Sequence, residues 1–168
     1  MPARLLLLIL LILPAAAAAQ KVGPPPEGLA QATFAGGCFW CVEEAFDAVE
    51  GVEATISGYT AGEIENPSYR QVASGRTDHA EAVRVHYDPE VVTYRELLDD
   101  FWHNIDPTVE DRQFCDKGPQ YRTAIYYHDA EQRRLARETR RAIEASDQLP
   151  GPVVTEIEPA GPFWRAED

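Results

Sequence analysis

Two thiols with two aromatic rings between them, Cys38-Phe39-Trp40-Cys41, carry the most direct chemistry in this chain. They follow Gly36 and Gly37, and before those a short apolar run at 30–35 that reads as a strand. Glycines let the backbone turn sharply, and the residues after them have helical spacing, so Cys38 is expected at a strand-to-helix junction. At a helix start, unpaired N–H groups and the macrodipole favour negative charge, which makes a thiol there a better nucleophile. Phe39 and Trp40 suggest an apolar receptacle beside it. Cys41, three residues on, is within range to form a disulfide with Cys38 or to resolve an oxidised Cys38. A cysteine flanked by aromatics at helical spacing is ordinarily core. The two glycines before it and the second thiol after it tip the reading toward a redox site.

Three further places could complete that site. In Asn66-Pro67-Ser68-Tyr69 a polar turn presents Tyr69, although tyrosines on turns are common without function. In His79-Ala80-Glu81-Ala82-Val83, Glu81 enters an apolar strand. Facing the core it would hold its proton and serve as a donor; facing solvent it is an ordinary carboxylate, and alternation alone leaves both open. The stretch 114–122 gathers Cys115, Asp116, Lys117, Gln120, Tyr121 and Arg122 in a loop leading into a strand, and unstructured loops of that length are often functional. A metal held by Cys38, Cys41, Cys115 and His79 is a poor match, because zinc sites normally show two paired ligand clusters and only one pair is present. His86, His103 and His128 fall in strand or helix patterns and read as packing or surface residues.

The elements that must position these groups alternate. Strands are expected at 30–35, 52–59, 80–87 and 123–127, with an edge strand at 153–157. Helices are expected from Phe39 to about Val49, as a short turn at 68–73 capped by Ser68, after Thr93 with Glu96 in the capping-box position, and from Asp129 to about Ser146. Residues 60–67 read as a loop and 106–118 as a long irregular one. The class is α/β or α+β, a single domain whose mixed sheet carries flanking helices, with some parallel pairing expected across the helical crossovers.

The chain has 168 residues, 45% of them hydrophobic, which suits one domain with a real core. Its formal charge of −13 argues against nucleic acid and anionic membrane surfaces as partners. Residues 1–19 have the charged start, apolar run and alanine tract of a secretory signal, with removal expected near Ala19 and Gln20. A periplasmic or secreted protein follows, with no membrane attachment once the signal is removed. Residues 20–29, rich in proline and glycine, read as a leader that is flexible or ordered only on contact, and 30–168 as the catalytic domain. Three cysteines are too few and too uneven for a disulfide scaffold, and in an oxidising compartment the odd thiol favours exchange chemistry.

Gly-Cys-Phe-Trp, then Gly-Tyr-Thr-Ala-Gly with Asn-Pro-Ser-Tyr, then His-Ala-Glu-Ala-Val, then Asp-Lys-Gly-Pro-Gln-Tyr-Arg resembles the A-type peptide methionine sulfoxide reductases in order and spacing, over about 33–163. The resemblance implies a ferredoxin-like core and reduction of methionine (S)-sulfoxide, free or in proteins, to methionine. It assigns Cys38 as nucleophile and Glu81 as the acid that protonates the sulfoxide oxygen. Phe39 and Trp40 become the aromatic wall for the substrate methyl group, while Tyr69, Asp116 and Tyr121 bind and polarise the oxygen. It implies no metal and no bound cofactor, recycling by a thioredoxin-type thiol reductant, and a monomer.

The sequence departs from the family pattern at three places. Cys41 and Asp78 stand where glycine is common. The chain also ends at Asp168, short of the tail in which many relatives carry recycling cysteines, so resolution is expected to use Cys115, Cys41 or both. Cys115 is favoured as the first to capture Cys38, since a loop adjusts where a helix resists. A thioredoxin-like disulfide oxidoreductase using Cys38 and Cys41 is the alternative. Such proteins place tryptophan before the first cysteine and a cis-proline opposite it, which this chain does not match.

Overall fold

The computed structural model describes residues 19–146 and 148–167. The export signal expected over 1–19 therefore lies, apart from Ala19, outside the described residues. In chain order the elements are β1 (Gln20–Lys21), β2 (Ala30–Gly36), α1 (Phe39–Asp47), β3 (Val52–Thr60), α2 (Tyr69–Ala73), β4 (Ala80–Tyr87), α3 (Tyr94–His103), β5 (Arg112–Gln113), β6 (Asp116–Lys117), β7 (Thr123–Tyr127), α4 (Ala130–Glu144), β8 (Glu156–Pro159) and β9 (Phe163–Arg165). One seven-stranded sheet runs β1-β9-β3-β4-β2-β7-β8, and β5 pairs with β6 in a separate hairpin. Within it, β2-α1-β3-β4-α3-β7 is a split βαβ arrangement, the ferredoxin-like core. Its strand pairs are all antiparallel, and the parallel pairing expected from the crossovers occurs between β7 and β8.

Local chemistry explains the helix starts. Ser68 and Thr93 each form a capping box, with Gln71 and Glu96 respectively, and Asp129 accepts from the Gln132 N–H. The helices cover one face of the sheet. There Phe34 of β2 stacks on Phe46 of α1 and Phe101 of α3, each at 5.0 Å between ring centroids. Burial of each such ring contributes about 1.5–3 kcal/mol. Val83, Val85 and Tyr87 of β4 point to this core, and so does Glu81, by the two-residue period of the strand.

The opposite face carries Ala35, Ala80, Ala82, Ala124, Tyr126 and Phe163, with Val22 packed against them. The start of the 20–29 leader is ordered by contact. Gln20 and Lys21 pair with Arg165 and Trp164, and the Val22 N–H donates to Phe163 O at 2.9 Å. Two expectations change. The loop at 106–118 contains the β5–β6 hairpin, and the edge strand foreseen at 153–157 forms instead at Glu156–Pro159. Strand β9, inserted between β1 and β3, follows Gly161-Pro162, a breaker pair that hides it from periodicity.

Candidate active site

Gly37 has φ +92°, and a Cβ placed on it would lie 2.5 Å from the Gln113 Cβ. Only glycine permits both the turn and that approach, so the β5–β6 hairpin sits directly on the bend that presents Cys38. Gln113 is buried and fixes the hairpin through its amide. Its oxygen accepts from the Asp106 N–H at 2.8 Å, and its nitrogen donates to Asp106 O at 2.8 Å and Arg112 O at 2.7 Å.

Cys38 is the N-cap residue of α1, half-buried, and its side chain makes no capping hydrogen bond. Its carbonyl accepts from the Cys41 and Val42 N–H groups at 3.1 and 3.3 Å. The thiol is left free at the positive end of the helix. The capping role falls to Glu81: its Oε2 accepts from the Phe39 N–H, the first of the helix, at 3.2 Å.

Glu81 is 2% exposed, and its Oε1 has no hydrogen-bond partner among the described residues. Burial pushes its pKa up, the Phe39 N–H pulls it back and the Asp116 charge raises it further, leaving it at about 7. Of the two orientations open at the sequence level, the structure takes the buried one. The carboxyl can hold a proton near neutral pH beside a thiol, as an acid for a departing oxygen requires.

The aromatic residues close around this pair. Phe39 is buried and lies 5.2 Å from Trp40, 5.9 Å from Tyr59 and 6.4 Å from Tyr69, ring to ring. Trp40 and Tyr69 stack at 6.1 Å and stay open to solvent, 60% and 39% exposed. This is a partly exposed apolar wall with a buried floor. Burial first, then the Glu81 charge, raises the pKa of the Tyr69 and Tyr121 phenols, so both remain proton donors. Asp116 contributes to the shifts of Glu81, Cys41, Tyr69 and Tyr121, so it belongs to the same constellation. Tyr121 ends a 3-10 turn at Pro119–Tyr121, and within it the buried Gln120 ties the turn to α2 through Ala73 O at 3.2 Å.

The thiols separate in an unexpected way. Cys41 is raised by its partial burial, then by the charge and hydrogen bond of Cys38, and then by Asp116 and Glu44. Cys115 is exposed at the hairpin's tip beside Phe114, itself 69% exposed, and takes no part in the interactions that shift Cys41. Of the two candidate resolving thiols, Cys41 is the one whose pKa responds to Cys38. His79 is unsuited to a ligand role: its Nδ1 accepts from the Gly62 N–H at 3.3 Å and its Nε2 donates to Ile64 O at 2.8 Å, which pins the 60–67 loop. Among the described residues no group of three or more His, Cys, Asp or Glu is placed to hold a metal. Asp78, where glycine is common in the family the sequence resembles, has φ +56°, a conformation that Asp tolerates better than most residues. The groove of about 400 Å³ between α3 and α4, lined by Trp102, His103, Ile143 and Leu149 among others, holds none of these groups.

Two participants escaped the sequence reading. Tyr59 lies inside the Gly-Tyr-Thr-Ala-Gly motif but reads there as one strand residue among several. Glu167, which reaches both Tyr59 and the start of α2, is about a hundred positions away from them in sequence and leaves no local signal.

Comparison with known proteins agrees with the geometry. Residues 30–168 match the family model described as peptide methionine sulfoxide reductase. The peptide methionine sulfoxide reductase MsrA of Methanosarcina mazei is 52% identical over 144 residues, covering 86% of this chain and 68% of that protein. Its counterpart from Methanothermobacter thermautotrophicus is 53% identical over 138 residues, 82% of each chain. Among solved structures, reduced Mxr1 from Saccharomyces cerevisiae superposes with a TM-score of 0.79 at 31% identity, covering 91% of this chain and 88% of that one. Methionine sulfoxide reductase A of Corynebacterium diphtheriae superposes at 0.74 with 33% identity, covering 87% and 78%. With a helix-start thiol, a buried carboxyl and an aromatic wall gathered on that shared fold, the chain belongs to the peptide methionine sulfoxide reductase family.

Proposed function

We propose that this protein reduces methionine (S)-sulfoxide, free or in proteins, to methionine, with Cys38 as nucleophile and Glu81 as acid. The observation that carries the reading is the buried Glu81 carboxyl, bound through one oxygen to the helix that presents Cys38 and unpartnered at the other. Trp40, Phe39 and Tyr69 receive the methyl thioether end, and Tyr69, Tyr121 and Asp116 surround the oxygen. The Cys38 thiolate attacks the sulfoxide sulfur and forms an S–S bond while Glu81 protonates the oxygen; transfer of that oxygen as hydroxide to the Cys38 sulfur then breaks the S–O and S–S bonds and releases the thioether. The sulfoxide is reduced by two electrons to the thioether and Cys38 is oxidised to a sulfenic acid.

Resolution falls to Cys41. Its thiol condenses with the sulfenic acid, releasing water and leaving a Cys38–Cys41 disulfide, which an external dithiol of the thioredoxin type reduces. The influence of Cys38 on the Cys41 thiol, one helical turn away, supports Cys41 over Cys115. Export belongs to the same proposal, supported by the pattern of residues 1–19. N-terminal sequencing of protein recovered outside the cytoplasm should find a start near Gln20.

The decisive assay uses resolved epimers of a blocked methionine sulfoxide. The (S) epimer should turn over and the (R) epimer should not; equal rates would overturn the assignment. Catalysed insulin reduction with no sulfoxide turnover would favour the thioredoxin-like alternative.

A further inference from the structure

A second carboxylate reaches the aromatic cluster. Glu167 follows β9, whose Trp164 lies opposite Tyr59 of β3, and the Ala166 N–H donates to Ser57 O at 2.9 Å, so its backbone is anchored to the strand it serves. From there Oε1 accepts from the Tyr69 N–H at 2.5 Å and Oε2 accepts from the Tyr59 hydroxyl at 3.4 Å.

Each contact completes something the local sequence leaves unfinished. The capping box of α2 uses the Ser68 and Gln71 N–H groups; the Tyr69 N–H is the next one in need of an acceptor, and Glu167 supplies it. Tyr59 is wholly buried and stands directly across the β3–β4 ladder from Glu81. Cross-strand partners share a face with Cβ atoms about 5 Å apart, so the Tyr59 hydroxyl has two carboxyl groups within reach. It donates to Glu167, and Glu81 Oε1 stays without a partner.

We propose that Glu167 is a positioning residue of the active site: it takes the Tyr59 hydroxyl proton and the Tyr69 N–H, and so keeps one Glu81 oxygen free for the substrate. Without Glu167, the Tyr59 O–H has Glu81 as its remaining acceptor. A hydrogen bond donated to a carboxylate favours its charged form. Glu81 would then lose its proton at lower pH, and the acid would be absent over more of the neutral range. The other groups facing Glu81 are Asp116 from β6 and the Phe39 N–H from α1, which act on its pKa, with Tyr69 from α2 and Tyr121 from the 3-10 turn, whose phenols feel its charge. Of these, Glu167 touches only Tyr69, through its N–H. Removing Glu167 also frees the start of α2 and lets the Tyr69 ring drift from Trp40, which acts on substrate binding.

The inference rests on the acid role proposed for Glu81, and its test separates the two. Glu81 is titrated in the resting enzyme by infrared difference spectra against Glu81→Gln, a readout independent of turnover. It is compared in wild type, Glu167→Ala, Tyr59→Phe and Glu167→Ala/Tyr59→Phe, beside kcat and KM for a methionine sulfoxide peptide across pH. In Glu167→Ala the Glu81 titration and the alkaline limb of kcat should both move down by about one pH unit, with a several-fold rise in KM. Removing the Tyr59 hydroxyl as well should return the titration to its wild-type position while KM stays raised. A Glu81 titration unmoved in Glu167→Ala, or one still displaced in the double variant, overturns the proposal. If the titration moves as expected while activity ignores it, Glu167 positions Tyr59 but Glu81 is not the acid.

Discussion

Glu81 is held between opposing influences, burial and Asp116 raising its pKa and the Phe39 N–H lowering it, and the balance near 7 lets one residue cap a helix and carry a proton. Glu81→Gln keeps the shape and loses the proton. Single-turnover reduction should fall by about 10²–10⁴-fold while the Cys38 alkylation rate stays within a few-fold of wild type; an unchanged reduction rate would end the acid role. The influence of Cys38 on the Cys41 thiol leads to a second expectation. After one turnover Cys41→Ser should accumulate Cys38 sulfenic acid, and Cys115→Ser should form the Cys38–Cys41 disulfide at the wild-type rate. Peptide mapping by mass spectrometry reads this directly, and a Cys38–Cys115 disulfide in wild type would reverse the assignment. Cys38 and Glu81 were legible because each stands beside a local signal, a glycine turn or an apolar strand. The Glu167–Tyr59 contact was not, because nothing in either neighbourhood refers to the other.

At the scale of elements, the site depends on the hairpin that sequence reading left as irregular loop. Two-residue strands carry too little periodicity to be seen, and their pairing is set by what they sit on: Gln113 against Gly37, and Gly118 N–H bonded to Asp111 O at 2.8 Å. The longer elements were readable to within a few residues because caps and period agreed, as at Thr93 with Glu96 before the Leu97, Leu98, Phe101 and Trp102 face. Strand β8 began late for the opposite reason, since its apolar start at Val153 is buried against the helix core before the parallel ladder begins. Gln113→Ala should leave the Asp106 backbone groups without partners in a buried place, at a cost of about 1–3 kcal/mol. Because the hairpin also carries Asp116, kcat/KM should fall more than stability alone explains. Gln113→Ala with unchanged kcat/KM would mean that the hairpin's seating on Gly37 does not matter to the site.

Across the whole molecule the sheet separates two buried titrating systems with opposite responses to acid. On the helix face Glu81 has a folded pKa of about 7, above its unfolded value near 4.3. The folded state binds that proton more tightly, so acidification from pH 7 toward 4.5 stabilises it. On the other face Arg84, with no carboxylate partner among the described residues and over the Phe163 ring at 4.5 Å, lies near His86 and His128. Burial first, then Arg84, brings His128 down to about 4, and His86 is lowered for the same two reasons. Unfolded histidine titrates near 6.5, so the unfolded state takes these protons first and stability falls as pH drops from about 6.5 toward 4. Each system amounts to roughly 3–4 kcal/mol over its window, and between pH 7 and 4.5 they offset one another. Wild type should therefore show a shallow dependence of unfolding free energy on pH in that range. Glu81→Gln, with only the histidines left, should lose stability steeply on acidification, and it should exceed wild type at pH 8, where the buried charge is gone. His128→Gln, with the carboxyl opposed only by His86, should gain stability as pH falls. Urea unfolding at intervals from pH 8 to 4.5 measures all three, and parallel curves would mean that neither face titrates as described.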